Sequence, residues 1–418
     1  MLRYFKPIKL LPYKWELIVL LWMAFFINQA DRQIFNVVLP AIKAELNLTD
    51  SNMGLISSIL ILVYGILVPV AGYIGDRTNK KYVLMLSLLV WSTSTFFTGT
   101  SILLIHLIFL QSIATGGGEA FYAPSANALI SEHHNKTRAT AMSIHQTALY
   151  AGIIMSGYLA GWIADHFGWR IAFYIFGVFG ILLSLLIGLR LKDSFPARTN
   201  ENGNSNALII DSLGMFFKKP TALLLTLAFA GMVFVNVGFM TWMPTYLHEK
   251  FGFSLARSGF DATFYHYIAA FLGVLLGASI ADRYCNKVIG MRGIVQATGL
   301  LLAAPFIFLL GIGNTPFVIY VLLAMFGIFR GIYDSNIFAS LYDIVEPRFR
   351  STATGLMLMF AFVIGASAPY ILGKIKPVLG LDRGLSALSA VYIFSALCIF
   401  IAVRFFYKKD IIKQFHKQ

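Results

Sequence analysis

The sequence predicts an all-α membrane protein: twelve transmembrane helices in two six-helix bundles. Three observations predict it. Of 418 residues, 58% are hydrophobic and only 12% are charged, against roughly 25% charged in an ordinary soluble domain. Twelve apolar runs follow one another, each near the ~20 residues that cross a hydrocarbon core. Marks that punctuate the first six runs return in the last six. The charge deficit leaves too little polar surface to coat a large soluble core. It excludes disordered chains, nucleic-acid scaffolds and secreted disulfide frameworks, and Cys285 and Cys398 allow at most one bridge.

In order, the runs cover 15–39, 52–75, 82–100, 102–130, 139–164, 171–189, 221–247, 258–281, 293–311, 316–344, 351–373 and 386–406. The first follows Arg3, Lys6, Lys9 and Lys14 as a signal peptide would. No small-residue cleavage site follows it, and Asn28, Asp31 and Arg32 interrupt its apolar core, so it reads as a retained span. After span 6 comes the longest polar stretch, Lys192 to Lys219, whose end, Ala207 to Phe217, reads as a short amphipathic surface helix. This divides the chain into an N-terminal bundle at 1–191, a linker at 192–219 and a C-terminal bundle at 220–418.

The net charge of +14 suggests nucleic acid until it is located. Of 33 Lys and Arg, 24 fall at the N-terminus, in the loops after spans 2, 4, 6, 8 and 10, and in the tail; seven lie on the other side and two inside spans. The positive-inside rule then places both termini in the cytoplasm of a cell (inner) membrane. Charge spread over seven short segments is orientation, and no nucleic-acid face is predicted.

The halves echo each other. Asp76-Arg77 after span 2 returns as Asp282-Arg283, 206 residues on; Arg138-Ala-Thr-Ala returns as Arg350-Ser-Thr-Ala, 212 on; Pro40, placed just after span 1, returns as Pro244, 204 on. A parallel six-plus-six repeat is the architecture of carriers that rock two bundles around a midplane site.

Gly72-Tyr-Ile-Gly-Asp-Arg-Thr-Asn-Lys-Lys81 resembles the signature loop of the major facilitator superfamily, with a weaker copy at Ala281-Asp282-Arg283. The resemblance runs over the whole chain. It implies alternating access, with Gly75, Asp76, Arg77, Lys81, Arg138, Asp282 and Arg283 in conformational gating, where ion pairs hold or release the ends of the bundles. The same cluster also anchors topology. Asn28-Gln-Ala-Asp-Arg32, Gly116-Gly-Gly-Glu-Ala-Phe-Tyr-Ala-Pro-Ser-Ala-Asn127, Gly168-Trp-Arg170 and Trp242-Met-Pro-Thr-Tyr246 resemble the organic-anion symporters, the sugar-acid and sialin-like group. Spinster-like lipid carriers share the aspartate–arginine pair, the glutamate and the signature loop. Span 5 lacks the proline of the drug-antiporter motif.

A charge at mid-bilayer costs roughly 2.5–3.5 kcal/mol on insertion scales, so such residues face a bundle interior and do a job. The mid-span set is Asp31, Arg32, Glu119, Arg330 and Asp334. The symporter resemblance implies that Asp31 and Glu119 carry protons and that Arg32 serves substrate binding. The alternative is that both carboxyls only neutralise Arg32. Arg330 and Asp334, four apart on one helix face, form either a self-satisfied pair or the C-half contribution to an anionic substrate, with Tyr333 and Asn336 beside it. Asn28, Tyr64, Tyr122, Gln146 and Asn236 complete the candidate substrate set. Residues 265–267 (Tyr-His-Tyr) are further lining candidates, and His145 reads as a packing residue. Gly116–Gly118 with Gly152, Gly157 and Gly161 allow close helix contact. His133 and His134 read as solvated. There is no His-Glu-x-x-His, no clustered metal ligand set and no Walker-type loop, so no enzyme, metal or cofactor is expected. The expectation is a functional monomer in the bilayer that takes up a small organic anion, such as a sugar acid, with protons. A Spinster-like lysolipid or sphingoid lipid carrier and a neutral sugar symporter are the alternatives.

Overall fold

The computed structural model describes residues 12–134, 137–194, 214, 216–285 and 287–411, and no strand occurs among them. Span 1 is Tyr13–Glu45, span 2 Asp50–Arg77, span 3 Lys80–Thr98, span 5 Arg138–Phe167 and span 6 Trp169–Arg190. Spans 7, 8 and 9 are Pro220–Phe251, Leu255–Tyr284 and Met291–Ile312. Side-chain caps start several of them: Thr49, Ser254 and Thr315 each accept a hydrogen bond from a backbone N–H three residues on.

Four spans are less regular than an apolar run suggests. Span 4 is built from Leu104–Leu107, a π-helical turn at Ile108–Ala114, Thr115–Glu119 and Tyr122–His133. Span 10 is Pro316–Asp334 followed by Ile337–Ile344. Span 11 begins as Arg350–Gly365 and is prolonged by Ser367–Ile401, which breaks at Gly380 (φ 80°). Glycine tolerates that positive φ, so span 12 starts there and ends through a π-helical turn at Ala402–Phe406 and Tyr407–Asp410. Span 12 therefore begins before 386. Span 1 also continues past Pro40 to Glu45, so that proline lies within the helix. Most of the linker, including 207–213, lies outside the described residues.

The helices pair in two matching sets. Span 1 packs on span 5 and span 3 on span 6; span 7 packs on span 11 and span 9 on span 12. Between bundles, span 5 meets span 8 and span 2 meets span 11. The face carrying the linker is called the linker face, and the other the opposite face.

On the opposite face the bundles are latched. Asp165 at the end of span 5 accepts hydrogen bonds from the backbone N–H groups of Leu255 (3.0 Å) and Ala256 (2.9 Å), capping span 8. Lys376 of span 11 donates to Asp50 at the start of span 2 (2.9 Å) and to Glu249 of span 7 (2.6 Å), and Lys43 shares Asp50 (2.7 Å). Lys376 stands 211 residues after Asp165, so the two latches occupy corresponding places of the repeat. On the linker face, Lys80–Glu132, Arg190–Glu16 and Arg292–Asp343 are ion pairs within one bundle, and Lys81 pairs with Asp193 at the start of the linker. The bundles are thus fastened to one another at the opposite face. Loss of an N-terminal cap costs about 1 kcal/mol, roughly fivefold in a two-state population. Asp165→Ala is expected to shift the ensemble toward opening at the opposite face by that factor. Pulsed-EPR distances between labels at Ala44→Cys and Val378→Cys, with Cys285 and Cys398 replaced by serine, measure it.

Candidate functional site

The centre of the molecule is a cavity between the bundles, with about 130 Å³ reachable by the centre of a water molecule. Its lining includes Gln29, Arg32, Gln33, Asn36, Ser57 and Gln111 from the N-terminal bundle and Asn236, Met240, Thr241, Tyr267 and Phe362 from the C-terminal bundle. Arg32 is the only formally charged residue in that lining. Several lining groups are buried and have no hydrogen-bond partner: Gln33 Nε2, Ser57 Oγ, both side-chain polar atoms of Gln111, and Asn236 Oδ1. Buried polar groups are normally paired, so this wall presents open donors and acceptors to whatever occupies the cavity.

Two prolines add to it. Proline has no N–H, so it leaves the carbonyl four residues earlier without its helical donor. Pro40 frees the Asn36 carbonyl and Pro244 frees that of Met240. Both Asn36 and Met240 line the cavity.

Span 1 presents two polar stripes. One, Gln29, Arg32, Gln33 and Asn36, lines the cavity at helical spacing. The other, Asn28 and Asp31, is buried against the bundle. The Arg32 guanidinium donates from Nε to Glu119 Oε2 at 2.6 Å and lies over the Tyr64 ring at 4.4 Å. The Glu119 side chain is fully buried while that of Arg32 keeps 22% of its surface. The arginine is therefore the group in reach of a ligand and the glutamate its hidden counter-ion. Glu119 Oε1 and both oxygens of Asp31 have no hydrogen-bond partner. Thr95 and Trp91 are the polar neighbours of Asp31.

In the C-terminal bundle, Arg330 Nε lies 3.5 Å from Asp334 Oδ2, and Arg330 Nη1 donates to His266 Nε2 at 2.9 Å. The Tyr267 ring is 5.9 Å from the guanidinium and also lines the cavity. Tyr150 of span 5 touches Tyr267 edge to face across the seam (5.8 Å).

The structure thus gathers Arg32, Tyr64 and Glu119, with Asp31 and Asn28 behind them, and puts Asn236 in the cavity wall. Other candidates stand apart. Tyr122 is buried and its hydroxyl is occupied by the Leu21 carbonyl (2.5 Å) and His145 (2.9 Å). Gln146 is exposed and outside the lining. Tyr333 is buried and outside the lining, and Asn336 donates to Ser335 (2.7 Å). At the linker face, Gly75 packs near Ser125, Arg77 folds back on Tyr73 (3.6 Å), Lys81 meets Asp193 (3.6 Å), and Arg138 donates to the Ser131 carbonyl (3.0 Å). Asp282 and Arg283 are exposed, and the Asp76 side chain lies outside the described residues. One expectation is corrected: His134 is not solvated. It is buried, and its ring nitrogens bond Thr137 (2.9 Å) and the Lys14 carbonyl (2.8 Å). The ring packs edge-on against Trp15, which pulls it out of the basic loop.

Residues 21–369 match the family profile described as Major Facilitator Superfamily. The chain is 27% identical to protein spinster homolog 1 of Xenopus laevis over 383 residues, 86% of this chain and 72% of that protein. It is 26% identical to the hexuronate transporter of Bacillus subtilis (strain 168) over 410 residues, 94% of this chain and 95% of that one. Among solved structures, the inward-facing, occupied form of a bacterial homolog to the human lysosomal transporter Spinster superposes with a TM-score of 0.82 at 21% identity, covering 97% of this chain and 99% of that one.

Proposed function

This chain belongs to the Major Facilitator Superfamily, and from that premise we propose that it is a proton-coupled symporter for a small organic anion of the sugar-acid class. As a member of that family it is a multi-pass membrane transporter and not an enzyme. The observation that carries the finer reading is the composition of the cavity wall: one guanidinium among carboxamides and hydroxyls. Arg32 offers a fixed positive charge to a carboxylate, and Gln29, Gln33, Gln111 and Asn236 offer hydrogen bonds to hydroxyls. Resemblance to the hexuronate transporter supports the same class.

Alternating access follows from the gates. With the linker face cytoplasmic, in keeping with its positive charge, the arrangement with the opposite face latched is inward-facing. A substrate carboxylate at Arg32 competes with Glu119 for the guanidinium, and a proton taken up by Glu119 leaves Arg32 free to hold the substrate. Asp31, one residue away and without a hydrogen-bond partner, is the second proton carrier. The gating group at the linker face, Gly75 to Lys81 with Arg138, Asp282 and Arg283, engages when that face closes. The transporter acts as a monomer in an inner membrane, with its linker at 192–219 between bundles at 1–191 and 220–418.

A lipid-carrying reading draws on the apolar part of the wall, Phe35, Leu60, Ile61, Met240 and Phe362, and on the spinster relatives. Counterflow in proteoliposomes against sugar acids, neutral sugars and lysolipids decides between them. Saturable exchange of a hexuronate is the expected result; exchange of lysolipid alone would overturn the reading. Asp31→Asn and Glu119→Gln are each expected to abolish uphill uptake driven by a pH gradient. Counterflow, which needs no net proton movement, should persist in Asp31→Asn. Wild-type uphill uptake in both variants would remove the proton role.

A further inference from the structure

The two halves of the repeat can be aligned from ion pairs as well as from sequence marks. Lys80 at the start of span 3 pairs with Glu132 at the end of span 4, and Arg292 at the start of span 9 pairs with Asp343 at the end of span 10. Asp343 stands 211 residues after Glu132, and Arg292 stands 212 after Lys80. The offset of the acidic partners carries Glu119 onto Arg330, and the Pro40-to-Pro244 offset of 204 carries Arg32 onto Asn236. The C-terminal counterpart of the Arg32–Glu119 pair is therefore Asn236 with Arg330: the charge has changed bundle position and sign.

The surroundings of Arg330 are defined by His266. A guanidinium only donates hydrogen bonds, so His266 Nε2, 2.9 Å from Arg330 Nη1, is the acceptor. The ring is thereby neutral with its proton on Nδ1, which is buried and has no hydrogen-bond partner. His266 is fully buried and wedged between Phe239 and Phe326, with ring centroids at 5.3 and 4.6 Å. It cannot swing away. Arg330 is 8% exposed, and its Nε is buried without a hydrogen-bond partner, as is Asp334 Oδ1. The pair is thus a loose one, with Arg330 Nε facing Asp334 Oδ2 at 3.5 Å, beyond good hydrogen-bond length.

We propose that Arg330, oriented by His266 and screened by Tyr267, is a second carboxylate-recognition centre, contributed by the C-terminal bundle at the place where the N-terminal bundle has Glu119. His266 is a positioning residue: it fixes one edge of the guanidinium so that the other faces Asp334 and the seam. Arg330 then shares the substrate with Arg32 as the bundles close, selecting acids over neutral sugars from both walls. This rests on the sugar-acid reading and extends it to a second recognition point.

The test is thermal stabilisation of the purified full chain by D-glucuronate, with D-glucose as the neutral control. The wild type should be stabilised by the acid. Arg330→Gln should weaken glucuronate about tenfold or more, the scale of a lost charge-assisted hydrogen bond, and leave glucose unchanged. His266→Leu should weaken glucuronate as much, His266→Gln should restore it by supplying an acceptor, and His266→Leu with Arg330→Gln should be no worse than either alone. Glucuronate affinity unchanged by Arg330→Gln, but lost in Arg32→Ala, would overturn the second centre and leave the sugar-acid reading standing. No stabilisation of the wild type by glucuronate would overturn both. As a readout independent of ligand, the ¹⁵N shifts of the His266 ring, assigned by difference against His266→Gln, should report the Nδ1–H form; an Nε2–H ring would refute the positioning role.

Discussion

Arg32→Ala is expected to abolish saturable uptake, lowering the rate by about a hundredfold or more. Two losses combine. Charge-assisted hydrogen bonds contribute about 1.5–3 kcal/mol each, and the substrate loses the only formal charge in the cavity wall. Glu119, fully buried 2.6 Å from the guanidinium, is left without its partner. Removing one partner of a buried pair costs about 3–5 kcal/mol. A double variant separates the two. Arg32→Ala with Glu119→Gln should recover folding, read by thermal denaturation in detergent, and stay inactive in counterflow. Arg32→Lys should recover little, because a point charge cannot both bond Glu119 and lie over Tyr64 as the planar group does. Uptake within tenfold of wild type in Arg32→Ala would remove Arg32 from the site.

The second large effect is at the seam between spans 5 and 8. A Cβ on Gly161 would collide with the backbone nitrogen of Ala256 and the backbone carbon of Leu255, and one on Gly157 would lie 2.7 Å from the Gly259 carbonyl oxygen. These are main-chain atoms that cannot rotate aside. Gly161→Val is thus expected to destabilise closure at the opposite face by about 3 kcal/mol, the upper range for overpacking. Transport should fall about a hundredfold while the protein stays folded, with the 44–378 label distance lengthened. A folded Gly161→Val protein with normal transport would contradict the tight seam.

Much of this was legible in the sequence, for a physical reason. Lipid exposure forces long apolar helices, so the spans and the repeat stand out in hydropathy alone. Charges in a membrane are costly, so Asp31, Arg32 and Glu119 announce themselves. Uncharged polar residues are cheaper to bury and do not. Gln29, Gln33 and Asn36 carry no such mark, and only their helical spacing from Arg32 places them on its face. Gln111 sits in an apolar run with nothing to mark it, and its place in the cavity depends on how span 4 winds. Residues as distant as His266 and Arg330 meet only through the packing of span 8 on span 10. The seclusion of His134 depends on Trp15, more than a hundred residues earlier.

The π-helical turn of span 4 has a consequence for chain length. A π-turn accommodates one residue more than an α-turn, and each residue of an α-helix rotates the next by about 100°. The widened turn at Ile108–Ala114 is held by its neighbours: Ser94 and Thr115 donate to the Leu110 carbonyl at 2.7 and 3.0 Å, and Ser112 donates to the Ile56 carbonyl at 2.7 Å. It therefore works as a vernier, setting the bearing of everything that follows on the span. Glu119 comes five residues after it, aimed at Arg32. A span one residue shorter would cross the bilayer equally well and carry the same composition, yet it would turn that carboxylate through about 100°, away from its partner.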